Sequence, residues 1–134
     1  MRLEEVSKFK QIKFLNETIY GFPSILSQVD PNNEGFSLEE NVIAVYDSLD
    51  ALQGIFIYSI DSNSAYNIVV ANLGSKSYCF DKAFMIWAKK MEATFESIEL
   101  TIQADSVMIK YLDKNGYRLL LEEEDGRKTY VYEG

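Results

Sequence analysis

Apolar and polar residues alternate through Ile98-Glu-Leu-Thr-Ile102, the two-residue period of a half-buried strand. The period then changes. Asp105-Ser-Val-Met-Ile-Lys-Tyr-Leu-Asp-Lys-Asn-Gly116 opens on a good N-cap residue, places Met108, Ile109 and Leu112 on one helical face, and stops at a glycine. The segments 118–124 and 127–132 flank Asp125-Gly126, a favoured dipeptide for a two-residue hairpin turn. Upstream, Phe80, Phe84, Trp87, Ala88, Met91 and Phe95 recur at helical spacing and predict a long helix over 80–95. Residues 66–71 are nearly continuous in apolar character, which predicts a strand buried on both faces. Two more strands, rich in β-branched and aromatic residues, are predicted over 41–46 and 52–59.

In the first third, Phe9, Ile12, Phe14, Leu15 and Ile19 are spaced as a helix over 7–20, ended by Gly21 and Pro23. A short second helix over 24–29 and an edge strand over 1–6 complete the region. Asp30-Pro-Asn-Asn-Glu-Gly35 is the strongest loop signal in the chain. The predicted order is β-α-α-β-β-β-α-β-α-β-β, an α/β (α+β) arrangement.

Composition narrows the chemistry. A length of 134 residues predicts one domain, 1–134, and 47% hydrophobic residues can fill its core. Histidine is absent and Cys79 is the single cysteine. Ser-His and Cys-His nucleophilic dyads, an intrachain disulfide and the common zinc sites are thereby excluded. The formal net charge of -8 argues against a nucleic-acid partner, since phosphate is repelled and no basic stripe offsets the charge. No apolar run is long enough to span a membrane, and Met1-Arg-Leu-Glu-Glu does not read as a signal segment. The expectation is a cytoplasmic protein without a membrane partner. Glu122-Glu-Glu-Asp125 looks like a metal cluster, but successive strand residues point to opposite faces, so it reads as a solvated hairpin tip and no metal is expected. Gly74-Ser-Lys-Ser77 lacks the glycine spacing and residue order of a phosphate loop.

The element order and several residues resemble the GNAT acetyltransferase family. Lys110-Tyr-Leu-Asp-Lys-Asn-Gly116-Tyr117 is similar to the end of the family segment Asn-x-x-Ala-x-x-Phe-Tyr-x-x-x-Gly-Phe, and Gly54 lies where the family often has glycine in its third strand. The resemblance implies a GNAT-like acyl-CoA N-acyltransferase fold, a mixed and mostly antiparallel twisted sheet flanked by helices. It also implies a place for acetyl-CoA where the fourth strand meets the third helix, at the motif Gln/Arg-x-x-Gly-x-Gly/Ala. The matching residues here are Lys76-Ser77-Tyr78-Cys79-Phe80-Asp81.

The departures from that pattern are chemical. Cys79 and Asp81 replace the two small residues whose absent side chains let backbone N–H groups approach a diphosphate. Asp81 is expected in the first helical turn, where its carboxylate takes the place of a phosphate. Leu112 stands where many family members have the tyrosine that protonates the departing thiolate, and leucine has no proton to give. Tyr111 corresponds to the family's phenylalanine and Asp105 to its asparagine, which suits them to packing and capping.

Two functions follow from the resemblance. One is a non-catalytic binding or virion-assembly protein, similar to small GNAT-like proteins of tailed bacteriophages, with no cofactor and with a protein partner or self-association. The other is an acetyl-CoA-dependent N-acyltransferase acting on an amine. In the second, Val69, Val70, Ala71, Lys76 and Ser77 would hold acetyl-CoA and Glu99 would be the base. Tyr58 and Tyr66 are further candidate acids, with sheet packing as their ordinary role.

Overall fold

The computed structural model describes residues 1–30, 35, 39–73, 77–102 and 108–134, with the side chains of 28, 77 and 78 left aside. The chain runs β1 (Arg2–Glu5), α1 (Lys8–Leu15), a π-helical turn (Asn16–Tyr20), α2 (Pro23–Val29), β2 (Asn41–Tyr46), β3 (Leu52–Asp61) and β4 (Ser64–Asn72). It continues as α3 (Ser77–Thr94), β5 (Ser97–Ile102), α4 (Met108–Lys114), β6 (Arg118–Glu122) and β7 (Lys128–Glu133). The predicted order of elements is the observed one.

All seven strands form one sheet in the order β1-β2-β3-β4-β5-β7-β6. Among the described residues, only the β4–β5 pair is parallel. The helix α3 is the crossover that such a parallel connection needs. Helices α3 and α4 cover one face, where Phe56, Ile68, Phe80, Phe84, Trp87, Ile98, Leu100 and Leu112 form a buried cluster. The first two helices cover the other face, where Leu15, Ile19 and Val29 pack on Val42, Ile55, Ile57 and Ala71. Alternation along β3 feeds both layers: Ile55 and Ile57 point one way, Phe56 the other.

Three local differences from the sequence reading have physical reasons. The predicted helix over 7–20 loosens into a π turn after Leu15, where Thr18 Oγ1 donates to the Phe14 carbonyl at 2.7 Å. Such hydroxyl back-bonding competes with the regular ladder. The final hairpin closes through a longer loop than the Asp125-Gly126 turn. Glu122 pairs with Lys128, Glu123 N–H donates to the Arg127 carbonyl at 2.8 Å, and Gly126 N–H donates to the Glu123 carbonyl at 3.0 Å. A two-residue type I′ turn needs positive φ at both residues, and here Gly126 (φ 92) has it while Asp125 does not. Asp125 instead accepts from Arg127 N–H and from its guanidinium Nε. The strand over 66–71 is not sealed on both faces, because several of its residues are half-buried. Among the described residues, no helix is long and apolar enough to cross a membrane.

Candidate functional site

The site begins where β4 and β5 separate. Their parallel register is Ser64↔Ser97 and Ala65↔Ile98, then Ile68↔Leu100 and Val69↔Thr101, with a shift over Tyr66 and Asn67. Asn67 takes a positive φ of 51, a conformation asparagine tolerates better than most residues. Beyond Val69, β4 continues to Asn72 paired with β3, through Val70↔Phe56, Ala71↔Ile55 and Asn72↔Gly54. Strand β5 continues to Ile102 paired with β7. The two strands therefore part at Val69 and Thr101, and the β5-facing edge of Val70 and Ala71 lies outside the ladder.

Of the cofactor-side residues named from the sequence, Val69, Val70 and Ala71 lie along this opening. Ala71 is buried, and Val69 and Val70 pack against opposite core layers, so their side chains are structural and only their main chain faces the gap. Ser77 is the first residue of α3. Lys76 lies outside the described residues, as do Asp105 and most of the 30–35 loop.

A groove of about 310 Å³ runs between α3 and α4, lined by Asp81, Met85, Met108, Lys110, Tyr111, Lys114 and Asn115. Asp81 is the fifth residue of α3, which places it past the first turn and corrects the expectation that it sits there. The stabilisation a carboxylate gains from a helix terminus fades within that turn. Burial raises the Asp81 pKa above its ordinary value, and no hydrogen bond or ion pair reaches its carboxylate among the described residues. Lys110 and Lys114 stand on the α4 wall, four residues apart and so on one helical face. An anion in this groove would meet two cations and one half-buried carboxylate. Two unit charges ~4 Å apart repel by roughly 4 kcal/mol at an effective dielectric of about 20. Cys79 beside it is half-buried and carries the side chain that a close backbone approach excludes.

Leu112 is fully buried, so the position of the family's acid is core. Tyr111 points elsewhere. Its hydroxyl donates to Glu92 Oε2 at 2.9 Å, and the Tyr117 hydroxyl donates to the same oxygen at 2.8 Å. One α3 carboxylate thus ties α4 to the entry of β6. Tyr111 also meets Phe84 edge-on, with ring centroids 6.0 Å apart. Burial first, then the Glu92 hydrogen bond, raises both tyrosine pKa values above the ordinary range. Such tyrosines keep their protons in the folded chain after the unfolded chain has lost its own. Stability should therefore be level up to about pH 10, the unfolded tyrosine value, and fall as pH rises above it. Denaturant midpoints from pH 7 to 11 check this, and Tyr117→Phe should flatten the alkaline limb.

Glu99 pairs with Val131 on β7 and is half-buried, on the face away from Ile98 and Leu100. The shifted segment Tyr66–Asn67 of β4 lies beside it in the register. Tyr66 adjoins Ala65, which faces the α3 layer, and so turns to the Glu99 side of the sheet. Tyr58 is on the other face, 5.7 Å from Trp87 between ring centroids, and burial raises its pKa. The structure therefore places Glu99 and Tyr66 on one face of the sheet and leaves Tyr58 in the core layer of the other. Sequence reasoning missed Glu92 and the Lys110–Lys114 pair. The lysine pair had a signal, its spacing of four. Glu92 had none, because both its partners come from other elements.

No family model and no curated protein sequence matches the chain. Solved structures do. An inferred acetyltransferase from Sphaerobacter thermophilus DSM 20745 superimposes with a TM-score of 0.71 at 12% identity, covering 98% of this chain and 92% of that one. The IAA acetyltransferase from Bacillus cereus ATCC 14579 gives 0.59 at 14% identity, with 99% of both chains covered. Aminoglycoside 6'-acetyltransferase type Ii gives 0.54 at 16% identity, covering 99% of this chain and 97% of its own. At these identities the likeness is one of architecture. The seven-stranded mixed sheet, its single parallel pair and its helices on both faces are the GNAT acyl-CoA N-acyltransferase fold.

Proposed function

We propose that this GNAT-fold chain acts through contact with protein rather than by acetyl transfer. The observation that carries the reading is Asp81, half-buried and without a charge partner among the described residues, on the wall of the groove between α3 and α4. The burial of Leu112 at the position of the family's acid supports it. In this reading the chain needs no cofactor, binds a protein partner or itself, and works in the cytoplasm as a binding or virion-assembly protein of the tailed-bacteriophage kind. The test is titration of Asp81→Asn with acetyl-CoA beside the unmodified protein. Removing the carboxylate should leave Lys110 and Lys114 unopposed and strengthen binding by at least about tenfold, with the gain shrinking as salt rises. An unmodified protein that already binds tightly, or a folded Asp81→Asn that binds no better, would refute the assignment.

A second reading, an acetyl-CoA-dependent N-acyltransferase acting on an amine, draws on the parting of β4 and β5 after Val69 and Thr101. There the main chain of Val69, Val70 and Ala71 would hold the acyl donor, with Lys76 and Ser77 at the loop, and Glu99 would take the proton from the amine. It requires acetyl transfer by the unmodified protein that Glu99→Gln abolishes without loss of fold.

A further inference from the structure

A second groove, of about 360 Å³, lies between α3 and the β1 edge of the sheet. Its helix wall is one stripe at the end of α3, where Trp87, Met91 and Phe95 stand four residues apart with Lys90 beside them. Its floor is the sheet, at Leu3, Ile43 and Tyr58. Glu5 is paired opposite Ile43, and Ile43 opposite Phe56. Residues paired directly across strands share a face, and Phe56 belongs to the α3 layer. The Glu5 carboxylate therefore stands on that same apolar face. No residue of α4 lines this groove among the described residues, so the strip of sheet beside α3 is left open here.

Two opposite charges thus line one apolar hollow, Glu5 from the sheet and Lys90 from the helix. Among the described residues neither makes an ion pair, with the other or elsewhere. Tyr58 is half-buried between them and the core. Burial first, and then the Glu5 charge, raise its pKa, so the carboxylate lies within electrostatic reach of the phenol. A charge turned inward on an edge strand ordinarily discourages pairing with a further strand. Edge protection explains Glu5 alone. It leaves unexplained a hollow of small-molecule size, walled by aromatic rings, with a cation on the facing wall; such sites run from roughly 300 to 1,000 Å³. We infer that the groove binds a free amino acid with an apolar or aromatic side chain. The ammonium pairs with Glu5, the carboxylate with Lys90, and the side chain lies against Trp87, Met91 and Phe95. Charge complementarity selects this class. A wholly apolar ligand strips water from two charges and gives neither a partner. A simple amine leaves Lys90 unmatched, and a simple carboxylate leaves Glu5 unmatched.

The site shares no residue with the α3–α4 groove, so acetyl-CoA binding bears on neither outcome. Trp87 lines it and is the single tryptophan, which makes its emission the readout. Titrating the full chain with L-phenylalanine should change that emission saturably, with half-saturation at millimolar concentration or below. Phenethylamine, which lacks the carboxylate, and 3-phenylpropionate, which lacks the ammonium, should each bind about tenfold more weakly or worse, since each forfeits one charge-assisted pair. Glu5 and Lys90 are exposed, so Glu5→Gln and Lys90→Gln should keep the circular dichroism of the unmodified chain. Each variant should lose about tenfold or more in affinity for L-phenylalanine. Glu5→Gln should also bring that affinity down toward the level of 3-phenylpropionate, and Lys90→Gln toward that of phenethylamine. The absence of a saturable change with L-phenylalanine overturns the proposal. So does either analogue binding as well as the amino acid, or a folded variant that binds it as well as the unmodified chain.

Discussion

Replacing Trp87 with alanine is expected to lower stability by about 3–5 kcal/mol. The side chain is 5% exposed and stacks on Phe56 at 4.5 Å between ring centroids with planes 20° apart. Tyr58 and Phe84 contact the same ring from other sides, at 5.7 and 6.2 Å. Removing the indole opens a void beneath the middle of α3 that these rigid rings cannot collapse to fill. Urea denaturation followed by circular dichroism measures the loss, since the variant has no tryptophan to report it. In the unmodified protein the emission of this single tryptophan should be blue-shifted and should redden on unfolding. Native emission already like that of indole in water would reject its placement.

Adding a methyl group at Gly54 should destabilise from the opposite cause. A Cβ there would lie 1.9 Å from Phe80 Cε1 and 2.8 Å from the Ala71 carbonyl oxygen. Phe80 is fully buried in the first turn of α3, and Ala71 O belongs to the neighbouring strand, so neither can simply step aside. Gly54→Ala is expected to cost about 1–3 kcal/mol by overpacking. In a Phe80→Leu background the same change should cost less, because the shorter side chain clears the space. Equal costs in the two backgrounds would show that Phe80 is not the obstacle.

Much of the fold was legible because the periodicities are local. The alternation in β5 and the spacing of Phe80, Phe84, Trp87 and Met91 in α3 each report which side faces the core, and the structure buries those residues as expected. The π turn after Leu15 was not legible, since it depends on how Thr18 bonds to the preceding turn. Neither was the exposure of Leu119–Leu121, an apolar run that reads as buried until the strand order places it at an edge. The candidate site was harder for the same reason. Asp81 was recognisable as an intruder in a cofactor motif, but its depth along α3 depends on where the helix starts. The opening between β4 and β5 depends on strands joined through α3. The Glu92 clamp on Tyr111 and Tyr117 joins three elements by hydrogen bonds that no spacing announces.

The most direct measurement is calorimetric titration of the unmodified chain with acetyl-CoA at low salt, where charge effects are largest. The account predicts no saturable binding, or binding too weak to saturate at millimolar acetyl-CoA. Saturable binding at micromolar concentrations would contradict it and make the opened β4–β5 edge a working acyl-CoA site.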